Sequence, residues 1–157
     1  MALKLDQANR IIEAILKRGA ELECRPISVV VVEPGCKVKA FQKEDGSSMI
    51  RFEMAFGKAY AALALGRSSK LVRIRADERP IFMRFLLSAT DDQIFPEGGG
   101  LQIRNDDGDV IGAIGVTGDT EDQDEELATF GIHAAGLKID DDFKDMGRRS
   151  GVRLTNV

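Results

Sequence analysis

The sequence is poor in the residues that hold metals and disulfides. Histidine occurs once, as His133, and cysteine twice, as Cys24 and Cys36. The cysteines form no CxxC and have no histidine near them, which excludes the usual zinc spacings. Two reduced thiols are expected in a cytosolic setting, where disulfides are rare. No run approaches the ~18 apolar residues that a membrane-spanning helix needs. The start, Met1-Ala2-Leu3-Lys4-Leu5-Asp6, lacks the apolar stretch of a signal peptide. A cytoplasmic location is therefore expected, with no membrane partner. No basic stripe is interleaved with aromatics, so nucleic acid is not expected as a partner.

What is present suits one globular domain. The 157 residues are 43% hydrophobic and 31% charged, enough for an ordinary core without a metal or disulfide staple. Charge is unevenly divided. Residues 1–90 carry 16 lysines and arginines against 10 acids, and residues 91–157 carry 6 against 16. That asymmetry suits either solvated surface or complementary faces that pair between subunits.

Leu5, Ala8, Ile12, Ile15 and Gly19 recur at helical spacing, with Asp6 as a cap or first-turn acid. Ile27 to Val32 is a β-branched run that reads as a strand covered on both faces. Glu33-Pro34-Gly35 is a turn, and Cys36, Val38 and Ala40 then alternate with Lys37 and Lys39 in a second strand. Residues 44–48 offer caps for a helix from about Ile50 to Leu65, closed by Gly66. Gly57, Ala59, Ala61, Ala62 and Ala64 make that helix thin, so another backbone can approach it. Ser68 and Ser69 can cap a third helical segment. Pro80 interrupts it, and Ile81 to Leu87 reads as a buried continuation.

Leu101 to Arg104 and Val110 to Thr117 flank Asn105-Asp106-Asp107-Gly108, a strong hairpin turn. One face of the return strand carries Val110, Ile114 and Val116. The other carries Ala113, Gly115 and Thr117 after Ile111, and this nearly bare face is where a helix or ligand comes close. The last helix spans about Thr120 to Leu137, with Leu127, Phe130, Ala134 and Leu137 as its core stripe. The fold class is thus α/β (α+β): an antiparallel sheet of two hairpins, four to five strands, with helices packed on it. The domain is expected to cover residues 1–138, and 139–157 a polar tail.

Each residue that can carry chemistry also has a structural reading. Gly98, Gly99 and Gly100 form either an anion-holding nest of N–H groups or a strand entrance. Gly112, Gly115 and Gly118 do not make a dinucleotide fingerprint, because they lie mostly within a strand. The acidic run from Asp119 to Glu126 suits a helix start, with Thr120 as cap and Gln123 in a capping box. Asp124 and Glu125 within it are candidate acids or bases. Arg51 and Lys58 are seven apart on one helix face, with Ala55 between them, and can hold a carboxylate or a propionate. His133 is either an exposed or satisfied side chain, a tetrapyrrole ligand or a general base. No serine sits on a G-x-S-x-G elbow.

These motifs together resemble the GlcG/HbpS-like family. Val29-Val30-Val31-Val32-Glu33-Pro34-Gly35 followed by Phe41-Gln42-Lys43-Glu44-Asp45-Gly46 resembles its opening hairpin. Ala55-Phe56-Gly57-Lys58-Ala59-Tyr60-Ala61-Ala62 resembles its A-x-x-K-A-x-T-A helix. Gly98 to Ile103 and Asp109 to Gly118 resemble its G-G-x-P-I and G-A-I-G-V-S-G strands, and Gln123-Asp124-Glu125 its Q-D-E helix start. The family also occurs as the C-terminal domain of a corrinoid adenosyltransferase class. The resemblance covers about residues 5–137 and implies a profilin-like sandwich, homo-oligomers, and haem or corrinoid-related binding in some members. Others sit beside catabolic enzymes. The chain departs at Pro34-Gly35-Cys36, Gln42-Lys43 and Leu101-Gln102, near the expected pocket.

Three functions follow as expectations. The first is a small-molecule-binding accessory or sensor protein, with haem or a related tetrapyrrole as first ligand and Lys58, Gly98–Gly100 and Thr117 lining the pocket. The second is an enzyme of small carboxylate or carbonyl catabolism, with Arg51 or Lys58 holding the anion and Asp124, Glu125 or His133 moving protons. The third is a structural oligomeric subunit of a metabolic operon.

Overall fold

Valine-rich β1, Ser28–Glu33, is buried because it lies inside a sheet covered on both sides. The computed structural model describes residues 2–143. The chain runs from α1 (Leu5–Glu21) through β1, β2 (Lys37–Lys43), α2 (Arg51–Leu65), α3 (Ser69–Glu78) and α4 (Pro80–Ala89) to β3 (Gly100–Arg104), β4 (Val110–Thr117) and α5 (Glu121–Ala134). A short 3-10 turn follows at Asp140–Phe143. All strand pairs are antiparallel, and the sheet order is β2-β1-β4-β3. The two hairpins expected from the turns are both present, and β1–β4 pairing joins them into one four-stranded sheet.

Strand alternation divides the core in two. Val29, Val31, Ile114 and Val116 face α1 and α5, with Ile12, Ile15, Leu127 and Ile132. Val30, Val32 and Ala113 face α2, with Ala55, Ala59 and Ala62. A smaller cluster of Ala61, Val72, Met83 and Ile94 fastens α3 and α4 to the far end of α2.

The bare face of β4 receives the thin face of α2. Gly115 pairs with Val30 on one side and Gly100 on the other. A Cβ on Gly115 would run into the Ala55 carbonyl, and one on Gly100 into the Lys58 carbonyl. The helix backbone thus rests directly on the sheet, which alanine and glycine permit and larger residues do not.

Several sequence expectations need correction. Cys36 does not open β2. It sits in the turn with φ 61° and donates its N–H to Glu33. No side chain from residues 44–48 caps α2, whose cap residue is Ile50. Ser68 does cap α3, accepting from the Leu71 N–H at 3.3 Å. In α1, Leu5 is exposed and Ile11 joins the core. In α5 the buried stripe is Leu127, Ala128, Gly131 and Ile132, and Phe130 and Ala134 face outward. Close packing of Gly131 against Ile11 and Ile15 of α1 selects that face.

The segment after Pro80 is not buried. Proline at the first position starts a separate helix, α4, which buries only Met83. Ile81 is 82% exposed and Phe85 67%. The expected polar tail begins with residues that pack on the body. Ile139 and Phe143 are buried, Arg104 and Lys138 exchange backbone bonds, and Arg104 Nε lies 2.6 Å from Asp140. Residues 144–157 lie outside the described residues.

Gly115→Ala should lower stability by about 1–3 kcal/mol through overpacking, read by urea denaturation. An unchanged midpoint would mean that α2 does not rest on the sheet at this point.

Candidate functional site

The residues expected to line an open pocket are brought together, but as a filled seam between α2, β4 and α5. Lys58 is 1% exposed. Its Nζ donates to Val116 O at 2.9 Å and to Asp124 Oδ2 at 3.1 Å, and lies 5.8 Å from the Phe95 ring centroid. Asp124 is equally buried, and its Oδ1 accepts the Asp119 N–H at 2.9 Å. Burial pushes the Lys58 ammonium down and the Asp124 carboxyl up, and their mutual attraction opposes both shifts.

Gly98, Gly99 and Gly100 are close-packed rather than open. Glu121 crowds Gly98, and Val116 O crowds Gly99, whose φ of 124° suits glycine. The Gly100 N–H donates to Ser69 Oγ at 2.7 Å, and Gly99 O accepts from the Val116 N–H at 2.9 Å. Thr117 is buried at the edge of this seam, where its Oγ1 accepts from Arg51 Nη1 at 3.4 Å.

The other candidates are dispersed. The Thr120 hydroxyl caps α5 through the Gln123 N–H at 3.2 Å. Gln123 does not close the capping box, and its Nε2 is buried without a hydrogen-bond partner in this structure. Glu125 is half-buried, 3.6 Å from Lys70. It lines a cleft of about 400 Å³ with Asp122, Glu126, Asp140 and Asp141. Burial raises its carboxyl pKa, and Lys70 opposes that rise. His133 lies nine residues beyond Asp124, roughly 13 Å along the helix. It is exposed and holds Asp142 at 2.9 Å. Asp124, Glu125 and His133 therefore do not converge on one reacting position.

Two arrangements escaped the sequence reading. Glu97 and Glu121 are neighbouring carboxyl groups beside Gly98. Burial, followed by Glu121, raises the Glu97 pKa, and Arg73 and Lys58 oppose that rise. Arg73 Nη1 contacts both, at 2.8 and 3.7 Å.

The second is a cleft of about 240 Å³ between α2, α3 and α4. Its walls are Ala64, Leu65, Val72, Phe82 and Leu86, with Arg67, Arg75 and Arg79 around them. Arg79 stacks 4.5 Å from the Phe82 centroid. Burial, then the neighbouring Arg75, pushes the Arg67 guanidinium pKa down. No local motif announces the cleft, because its arginines come from just beyond α2, from α3 and from the junction of α3 with α4.

The fold, with α2 seated on sheet glycines and α5 tied to it by Lys58 and Asp124, defines a class of small α/β domain. A family model described as "Haem degrading protein HbpS-like" matches residues 3–133, and the chain belongs to this family. It is 30% identical over 127 residues to a 15.0 kDa protein of the dhaT–dhaS intergenic region of Citrobacter freundii, covering 80% of this chain and 87% of that one. Among solved structures, PduOC in its haem complex has a TM-score of 0.77 at 22% identity, covering 88% of this chain and 98% of that one. The Klebsiella pneumoniae protein ORFY also has a TM-score of 0.77, at 24% identity, covering 85% and 90%. The structural likeness establishes the fold. No helix among the described residues is long and apolar enough to cross a membrane.

Lys58→Met should destabilise the protein by about 3–5 kcal/mol, because Asp124 is left as a buried unpaired charge. Adding Asp124→Asn should recover part of that loss, since the amide oxygen can still accept the Asp119 N–H. Urea denaturation of both variants checks this. A mild Lys58→Met effect, or no recovery in the double variant, would contradict a buried pair.

Proposed function

We propose that this protein is a small-molecule-binding accessory or sensor protein whose ligand is a tetrapyrrole, haem first, held at the α2–α3–α4 cleft. One observation carries the reading: three arginines surround an apolar wall in a partly enclosed cleft. A flat apolar ring bearing two carboxylates is complementary to that arrangement. Family membership and the haem complex of PduOC support the same ligand class.

The cleft is small for a whole macrocycle, since ligand pockets run from roughly 300 Å³ upward. It takes one edge and the propionates, while exposed Ile81 and Phe85 on α4 offer further apolar contact. None of the lining residues is histidine, cysteine or methionine. Binding here therefore depends on the ring and its carboxylates rather than on iron coordination. The bound group would supply redox or ligand-sensing chemistry at its iron. The chain's own residues hold the propionates through Arg67, Arg75 and Arg79 and shield one ring edge with Leu65, Val72, Phe82 and Leu86.

Acid–base chemistry on a small carbonyl compound is a second reading, favoured by two neighbouring carboxyls, Glu97 and Glu121, next to Gly98, with the Glu97 pKa raised by burial and by Glu121. Those carboxyls are already engaged by Arg73, so the tetrapyrrole reading is preferred.

Haem titration should give a saturable Soret shift. Iron-free protoporphyrin should bind with similar affinity. Arg75→Ala and Arg79→Ala should each weaken both by about tenfold, the worth of one charge-assisted hydrogen bond. Binding lost in His133→Ala but kept in the arginine variants would move the site to α5. No saturable shift would exclude haem.

A further inference from the structure

Arg51 is a half-buried cation whose charge meets no carboxylate among the described residues. Its one side-chain hydrogen bond, to Thr117 at 3.4 Å, lies at the long limit of such bonds. Its Nε is fully buried and has no hydrogen-bond partner in this structure. Lys58 and Arg104 show how the same fold treats other buried cations, with Asp124 at 3.1 Å and Asp140 at 2.6 Å. Arg51 is also close enough to push the Lys58 ammonium pKa down. Asp124 balances the charge of Lys58, so the pair leaves the charge of Arg51 unanswered.

Thr117 links it to two further hydroxyls. Thr117 and Ser28 are register partners across β4 and β1, 1% and 0% exposed, on the sheet face that meets α2. Ser28 Oγ reaches Ser47 Oγ at 3.3 Å, another long contact. Hydroxyls with long mutual bonds beside a guanidinium that meets no carboxylate among the described residues suit a hydrogen-bond acceptor. The Nε edge of a guanidinium, with Nη2, takes both oxygens of a carboxylate at once.

We propose that Arg51, with Thr117, Ser28 and Ser47, forms a binding site for a small carboxylate. The guanidinium takes the two oxygens along its Nε–Nη2 edge, and the hydroxyls donate from the sheet side. The burial of Ser28 and Thr117 restricts the site to a short acid. It is separate from the tetrapyrrole cleft, which borders the other end of α2, roughly 20 Å away along the helix. Either site can therefore fail its test without the other.

The test is acetate titration of the ¹⁵N-labelled protein, following the Arg51 Nε–H signal and the Thr117 amide, with sodium chloride at matched ionic strength as control. A saturable downfield shift of the Nε–H with acetate and none with chloride is expected. Arg51→Lys, which keeps the charge and loses the fork, should abolish the saturable shift at the Thr117 amide. Thr117→Val should weaken it about fivefold and serves if Arg51→Lys does not fold. No saturable acetate shift would mean that Nε is satisfied by water and would overturn the site. So would an undiminished response in Arg51→Lys. A saturable response to inorganic phosphate but not to acetate would overturn the carboxylate assignment.

Discussion

The structure depends on how closely α2 approaches the sheet. Gly100 and Gly115 give the helix backbone direct access to β3 and β4, and Ala55, Ala59 and Ala62 supply a face with little to displace. At that separation no room remains for large apolar side chains, so burial of surface alone does not lock the seam. Lys58 does so with directional bonds. One ammonium reaches a β4 carbonyl and a carboxylate near the start of α5. Asp124 in turn holds the Asp119 N–H. Sheet, helix and the β4–α5 loop are thereby fixed relative to one another. A buried ion pair gains little net stability after desolvation. Its value here is registration, because the partners meet only when all three elements are in place.

The division of charge along the sequence has an internal explanation. The basic first part and the acidic second part pair within one chain. Lys70 meets Asp122 and Glu125, Arg73 meets Glu97 and Glu121, and Arg25 meets Asp119. The acids of α5 thus serve both the positive end of their helix and the cations of α3. Most of these pairs are partly exposed and individually weak. Together they align α3 with α5 across the strand entrance at Gly98–Gly100. Complementary halves in a sequence do not by themselves require a second subunit.

Local signals revealed local structure. The valine run, the two turns, the bare face of β4 and the glycine after Leu65 all rest on backbone rules that act within a few residues. The long-range facts were less legible. Spacing puts Arg51 and Lys58 on one face of a helix, but not what covers that face. Lys58 lies beneath α5 and is sealed, whereas Arg51 at the edge is half-buried. In α5, Leu127, Phe130 and Ala134 fit a helical stripe as well as Leu127, Ala128, Gly131 and Ile132 do. The choice belongs to α1, whose isoleucines need a glycine opposite them. Ile81 to Leu87 is apolar enough for a core, yet Pro80 starts a new helix that points most of it outward. The apolar cleft draws on α2, α3 and α4, and no short window of sequence contains it.

A seam that is closed by backbone contact also constrains where a ligand can go. The middle of α2 has no space between helix and sheet at Gly100 and Gly115, and its one charged group, Lys58, is committed to Asp124. The two sites proposed above accordingly lie at the ends of the helix, where side chains reach past the seam. At one end Arg51 meets the hydroxyl of Thr117 on β4. At the other, Arg67, Arg75 and Arg79 surround Leu65, Val72 and Phe82. Substitutions at these ends leave the glycine contacts untouched, so they can change what is bound without changing the fold. The contacts that seat α2 on the sheet are largely made by backbone, which suits a fold shared at a TM-score of 0.77 with structures only 22–24% identical.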